Sequence, residues 1–130
     1  KSGSVHGGIN PLLFYLLFLY IYNLNNQEKM QHVISLQEAI DMTSRYQADV
    51  PAGMVNSETF SKESVSALLN QPGCVSFRIY YGKQKDDTIH AILVGVDENG
   101  ADMVQTSNII LEEGTRCPPD CSTIPSPLNG

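Results

Sequence analysis

The sequence predicts an α+β fold, with two helices followed by an antiparallel meander of three or four strands. Three observations carry that expectation. Two segments between residues 35 and 70 repeat apolar residues at helical spacing behind recognisable caps. The stretch 74–81 alternates with period two. An Asp97-Glu-Asn-Gly100 turn then separates two further apolar runs. Helices that precede a run of strands place the helical layer on one face of the sheet.

Each element has its own local reason. Ser35-Leu-Gln-Glu38 has capping-box spacing, and Leu36, Ala39, Ile40, Thr43 and Tyr46 recur on one side, giving a helix over 36–47. Pro51 disfavours helix at Val50, and Gly53 supplies the turn. Ser61 caps a second helix with Phe60 and Val65 as its staple and Val65, Leu68 and Leu69 as its apolar stripe. Asn70-Gln-Pro-Gly73 ends it. In Cys74-Val-Ser-Phe-Arg-Ile-Tyr-Tyr81, Val75, Phe77, Ile79 and Tyr81 share one face, which the pattern assigns to the core. Thr88 to Val96 is apolar on both sides in its second half, as a central strand is. A short third strand is expected at 101–105, an edge at Ile109–Leu111, and an irregular tail after Glu113.

The chain has 130 residues, the length of one domain, and 42% of them are hydrophobic. Its formal net charge is −6. That charge, without a local basic cluster, argues against a nucleic-acid partner. An unknown protein partner fits better.

The organisation divides into residues 1–29, an α+β domain over 30–113, and a Pro/Cys-rich tail over 114–130. From Ser2 to Gln27 there is no Asp, Glu, Lys or Arg, and Pro11 to Tyr22 is continuously apolar or aromatic. Three readings compete. Residues 1–29 are translated upstream sequence before a start at Met30, which implies a cytoplasmic protein. Alternatively, residues 7–24 anchor the chain in a membrane, although the run falls short of the roughly 20 residues a spanning helix needs. A signal peptide lacks its small-x-small cleavage site. A membrane partner is expected only if residues 1–29 belong to the native chain.

The strand Phe77-Arg-Ile-Tyr-Tyr-Gly82, the hairpin Ile92 to Asp102 and the ending Cys117-Pro-Pro-Asp-Cys121 resemble those of a group of small bacterial proteins. That group has an R-I-Y-x-G strand, an L-V-G-V-D-x-x-G turn and a C-P-P-x-C tail. The resemblance covers roughly Leu36 to Cys121 and implies no catalytic or binding residue.

The chemistry-bearing residues are few. Cys117 and Cys121 are candidates for a disulfide or a redox pair. With Cys74 and His90 they make up the four ligands a structural zinc requires. The competing reading takes Cys74 as a small apolar residue and His90 as a strand histidine. Paired acids such as Asp86-Asp87 and Asp97-Glu98 are turn residues, and Asp97 to Asp102 misses the calcium-loop spacing because Gly100 comes too early. Arg78 and Tyr80, with Tyr81, are candidates for a partner surface. No catalytic group and no cofactor is assigned. The sequence reading is a small acidic non-enzymatic binding or accessory domain acting by protein–protein contact. The alternative is a thiol-redox or metal-binding protein centred on the Cys117–Cys121 tail.

Overall fold

A computed structural model describes residues 2–3, 7–25 and 30–129. Of the expected 1–29 segment, residues 1, 4–6 and 26–29 lie outside the described residues. The chain divides into two compact units, Lys1–Ser35 and Leu36–Gly130.

The first unit holds helix α1, Pro11–Asn25. Asn10 Oδ1 accepts from the Leu12 N–H at 3.0 Å, and Pro11 occupies the first helical position, where its missing donor costs nothing. At 15 residues α1 is about 22 Å long. Among the described residues no helix is long and apolar enough to cross a membrane.

The second unit contains α2 (Leu36–Ala48), β1 (Ser57–Thr59), α3 (Lys62–Leu69), β2 (Cys74–Lys83), β3 (Ile89–Asp97), β4 (Asp102–Met103), β5 (Ile110–Leu111) and β6 (Thr115–Cys117). It is an α+β unit with antiparallel sheets, as expected. β3 is the central strand of the larger sheet. β2 pairs along one edge of it, and β4 and β5 lie one after the other along the opposite edge. The expected third strand is cut to two residues. A turn in which Gln105 N–H bonds Asn108 Oδ1 and Asn108 N–H bonds Gln105 O turns the chain away before β5. Gly100, at φ 78°, closes the β3–β4 hairpin while Asp97 Oδ1 accepts from the backbone N–H of Asn99 and Ala101.

The helical layer differs from the expectation. α3 alone packs broadly on the sheet, against β2, β3 and β5. Its cap is the predicted one, with Ser61 Oγ accepting from the Ser64 N–H at 3.1 Å. Leu68 is fully buried, and with Leu93, Val94, Val96 and Cys117 it makes the core. Gln71, just past α3, donates to Leu68 O and accepts from the Ile109 N–H, so it ties the helix end to the approach to β5. Gly95 leaves room for this junction, because a Cβ there would stand 3.1–3.3 Å from Cys74 Sγ, Gln71 Nε2 and Met103 Sδ. α2, by contrast, contains no buried residue. Its Tyr46 hydroxyl donates to Val55 O, and its Gln47 side chain donates to Leu128 O. The C-terminal end of α2 is thus tied to the loop at Val55 and to the tail, and part of the sheet is left uncovered.

The segment after residue 113 is also more ordered than its composition suggests. β6 pairs antiparallel with β1 in a two-stranded ribbon, with Glu58 opposite Arg116. That ribbon is fastened to the larger sheet by this cross-strand pair. Glu58 Oε1 accepts from the Ala91 N–H at 3.1 Å, and Arg116 donates to Ile89 O at 2.7 Å and to Gly53 O at 3.4 Å. The two side chains thus satisfy backbone groups of β3 that no neighbouring strand reaches, as buried backbone groups require.

Candidate binding groove

Residues of β2 fall on two faces of the sheet. Phe77, Ile79 and Tyr81 stand opposite Gly95, Leu93 and Ala91, on the face where α3 packs. The alternation predicted this shared face correctly and its burial incorrectly. Phe77 is 43% exposed, Ile79 47% and Tyr81 71%. The reason is the missing helix, since α3 covers only part of this face and α2 does not lie on it.

What occupies the uncovered region is a groove with a cavity of about 460 Å³. Its floor is Phe77, Ile79, Tyr81, Ala91 and Leu93 of the sheet. Tyr46 of α2, the segment Met54–Glu58, Phe60 and Val65 line the rest. The volume lies in the range of small-ligand sites, which are mostly apolar with a few placed polar groups. Glu58 is the one charged side chain of this lining. It is 11% exposed, and while Oε1 takes the Ala91 N–H, Oε2 is buried with no hydrogen-bond partner. Arg116 stands 3.9 Å from Oε1. Gly114 is required beside it, since a Cβ there would come within 2.8 Å of the Phe60 ring and 3.1 Å of Glu58 Oε2.

The opposite face carries charged side chains of the sheet. Arg78 on β2 reaches across β3 to Asp102 on β4, and Tyr80 donates to the same carboxylate. Val94 and Val96 are buried in this region. Val94 lies between Arg78 and Ile110 in the register, and Val96 between Ser76 and Asp102. Arg78 and Tyr80, the expected partner-surface residues, are therefore engaged within the sheet, and the groove lies on the other face with Tyr81. Further along, His90 Nδ1 faces Glu112 Oε1 at 2.5 Å, an ion pair when the imidazole is protonated. On its other side His90 Nε2 meets Thr88 Oγ1 at 3.0 Å, and that hydroxyl lies 2.6 Å from Asp86 Oδ1. Glu112 is held below the usual carboxylate range, first by the Glu113 backbone N–H and, against the opposing effect of burial, by His90. The Thr88 hydroxyl and then its N–H lower Asp86.

Cys117 and Cys121 form a disulfide with Cα atoms 4.6 Å apart, inside the usual span. Both peptide bonds from Cys117 to Pro119 are cis. The four-ligand metal set does not come together, because these two sulfurs bond each other, the Cys74 thiol donates to Ser76 O, and His90 is held by Glu112 and Thr88. Among the described residues no three His, Cys, Asp or Glu side chains converge as metal ligands.

Glu58 is the site residue that sequence reasoning missed. Ser57-Glu-Thr59 is too short for periodicity to register, and its partner strand lies at the other end of the domain. The one available signal was an acidic residue two positions before the staple residue Phe60. No family model, curated protein or solved structure matches the chain.

Proposed function

We propose that this chain is a protein-binding domain that takes an extended segment of its partner along the free edge of β2, over the groove. The observation that carries this reading is the exposure of Phe77, Ile79 and Tyr81 on a ten-residue strand whose one strand partner among the described residues is β3. An edge strand offers a row of backbone donors and acceptors to another strand, and proteins ordinarily blunt such an edge with charge, proline or a bulge. β2 has a bulge between Cys74 and Ser76 and no proline, and its charged side chains are Arg78 and Lys83. Strand addition draws affinity from main-chain hydrogen bonds and specificity from alternate side chains in pockets, which is what an edge beside a groove supplies.

The test is selection of a random peptide library on the full chain. Selected peptides are expected to slow hydrogen exchange at the amides of β2, to lose binding when alternate backbone nitrogens are methylated, and to bind Tyr81→Ala weakly. Peptides that protect β4 or β5 instead, or insensitivity to N-methylation, exclude strand addition at β2.

A thiol-redox role is the second reading, favoured by the asymmetry of the disulfide. Cys117 is buried and Cys121 exposed, so an attacking thiol reaches Cys121 first. Its test is the reduction potential. A value above that of cellular glutathione supports exchange, and one below about −300 mV marks a structural bond.

A further inference from the structure

We infer that the groove is a subsite for a cationic side chain, lysine or arginine, of the bound segment. The inference rests on the added-strand reading for the origin of the cation, and on the groove itself for the charge preference.

Three observations converge. First, Glu58 lines a cavity large enough for a long side chain, and its Oε2 is a buried carboxylate oxygen without a donor. Such an atom carries a desolvation cost that an N–H donor relieves, and a charged donor relieves most. Arg116 does not meet that need, since its NH1 and NH2 groups donate to Ile89 O and Gly53 O. Second, the same cavity is walled by the rings of Tyr46, Phe60, Phe77 and Tyr81. Ring faces attract ammonium and guanidinium groups, and they also accept the methylene stem that carries them. Third, the chain carries a formal charge of −6, so its long-range field attracts a basic segment and repels an acidic one. An anionic side chain would meet the Glu58 carboxylate directly. An aliphatic one would fill the cavity and leave Oε2 as it is.

The experiment uses four synthetic peptides, Ac-Thr-Val-Ser-X-Ser-Val-Thr-NH2 with X as lysine, arginine, norleucine or glutamate, titrated against the full chain. Separately, n-butylammonium and 1-butanol are titrated while the Ala91 and Leu93 amide resonances are followed. The lysine or arginine peptide should bind about ten- to a hundredfold tighter than the norleucine peptide, the span of a hydrogen bond to a charged group. Glu58→Gln, which keeps an acceptor for the Ala91 N–H, should erase that difference. Tyr81→Leu, at an exposed position, should narrow it, and it serves if Glu58→Gln does not fold. Equal binding of the norleucine and lysine peptides overturns the inference and leaves strand addition standing. If no peptide binds while n-butylammonium shifts Ala91 in the parent chain and not in Glu58→Gln, the cation subsite stands and strand addition falls. If n-butylammonium moves those resonances no more than 1-butanol does, the subsite itself is excluded.

Discussion

Arg78 and Ile79 are neighbours in the chain and sit in opposite surroundings. On the Arg78 side of the sheet, Arg78 and Tyr80 converge on Asp102, and His90 is held between Glu112 and Thr88. On the Ile79 side, apolar side chains stand about half exposed over a cavity, and the carboxylate beside them has one oxygen without a donor. The polar groups of the Arg78 side face one another within the chain, whereas the apolar side chains of the Ile79 side face a cavity. Exposed apolar side chains over a cavity make the groove the candidate. Tyrosine and arginine enrichment alone points to the other face, because it counts residue types without asking what they already bond.

The largest effects should separate the true core from the groove floor. Leu68→Ala removes a fully buried side chain and is expected to cost about 2–5 kcal/mol in denaturant unfolding. Phe77→Ala, at a half-exposed position, should cost about 1 kcal/mol and instead weaken peptide binding. Equal losses for the two would show that the floor is covered, and the contrast between the faces would collapse.

Much of this contrast was legible in the sequence, and the part that was not has a definite cause. Helical spacing located α2 and α3, and alternation located β2 and placed Phe77, Ile79 and Tyr81 together. The Asp97–Gly100 turn was placed correctly. Periodicity states which residues share a face. It does not state whether another element covers that face, and the apolar stripe of α2 was read as covering a sheet on which it does not lie. The ribbon of β1 and β6 was invisible for a different reason. Three-residue strands have almost no pattern, and their pairing joins Glu58 to Arg116 across most of the domain. A tail rich in Pro and Cys reads as irregular, although β6 and the disulfide tie it to the groove's own wall.

That tie gives the next prediction. The loop closed by Cys117 and Cys121 is short, so in the chain-entropy picture the disulfide contributes about 2 kcal/mol. Its removal by Cys121→Ser should lower stability by about that amount and loosen the β1–β6 ribbon. Hydrogen exchange at the Asn56 amide, which bonds Cys117 O at 2.8 Å, should then speed up before exchange at Val94 or Val96 does. Uniform acceleration across β3 would show that the ribbon and the main sheet open as one body.

The smallest expected effect is the acid response, and it belongs to the polar face. Glu112 and Asp86 are both held below their ordinary values of 4.5 and 3.8. A carboxyl whose folded pKa is depressed adds stability that is fully present above its unfolded pKa. That stability is lost as pH falls through the lower folded value. Unfolding temperature should therefore be insensitive to these two groups at neutral pH and decline as pH drops below about 4.5. Asp86 is exposed and Glu112 is partly so, so screening keeps the decline shallow and added salt should reduce it further. Glu112→Gln should flatten the acid limb, because the neutral amide no longer loses a charge there.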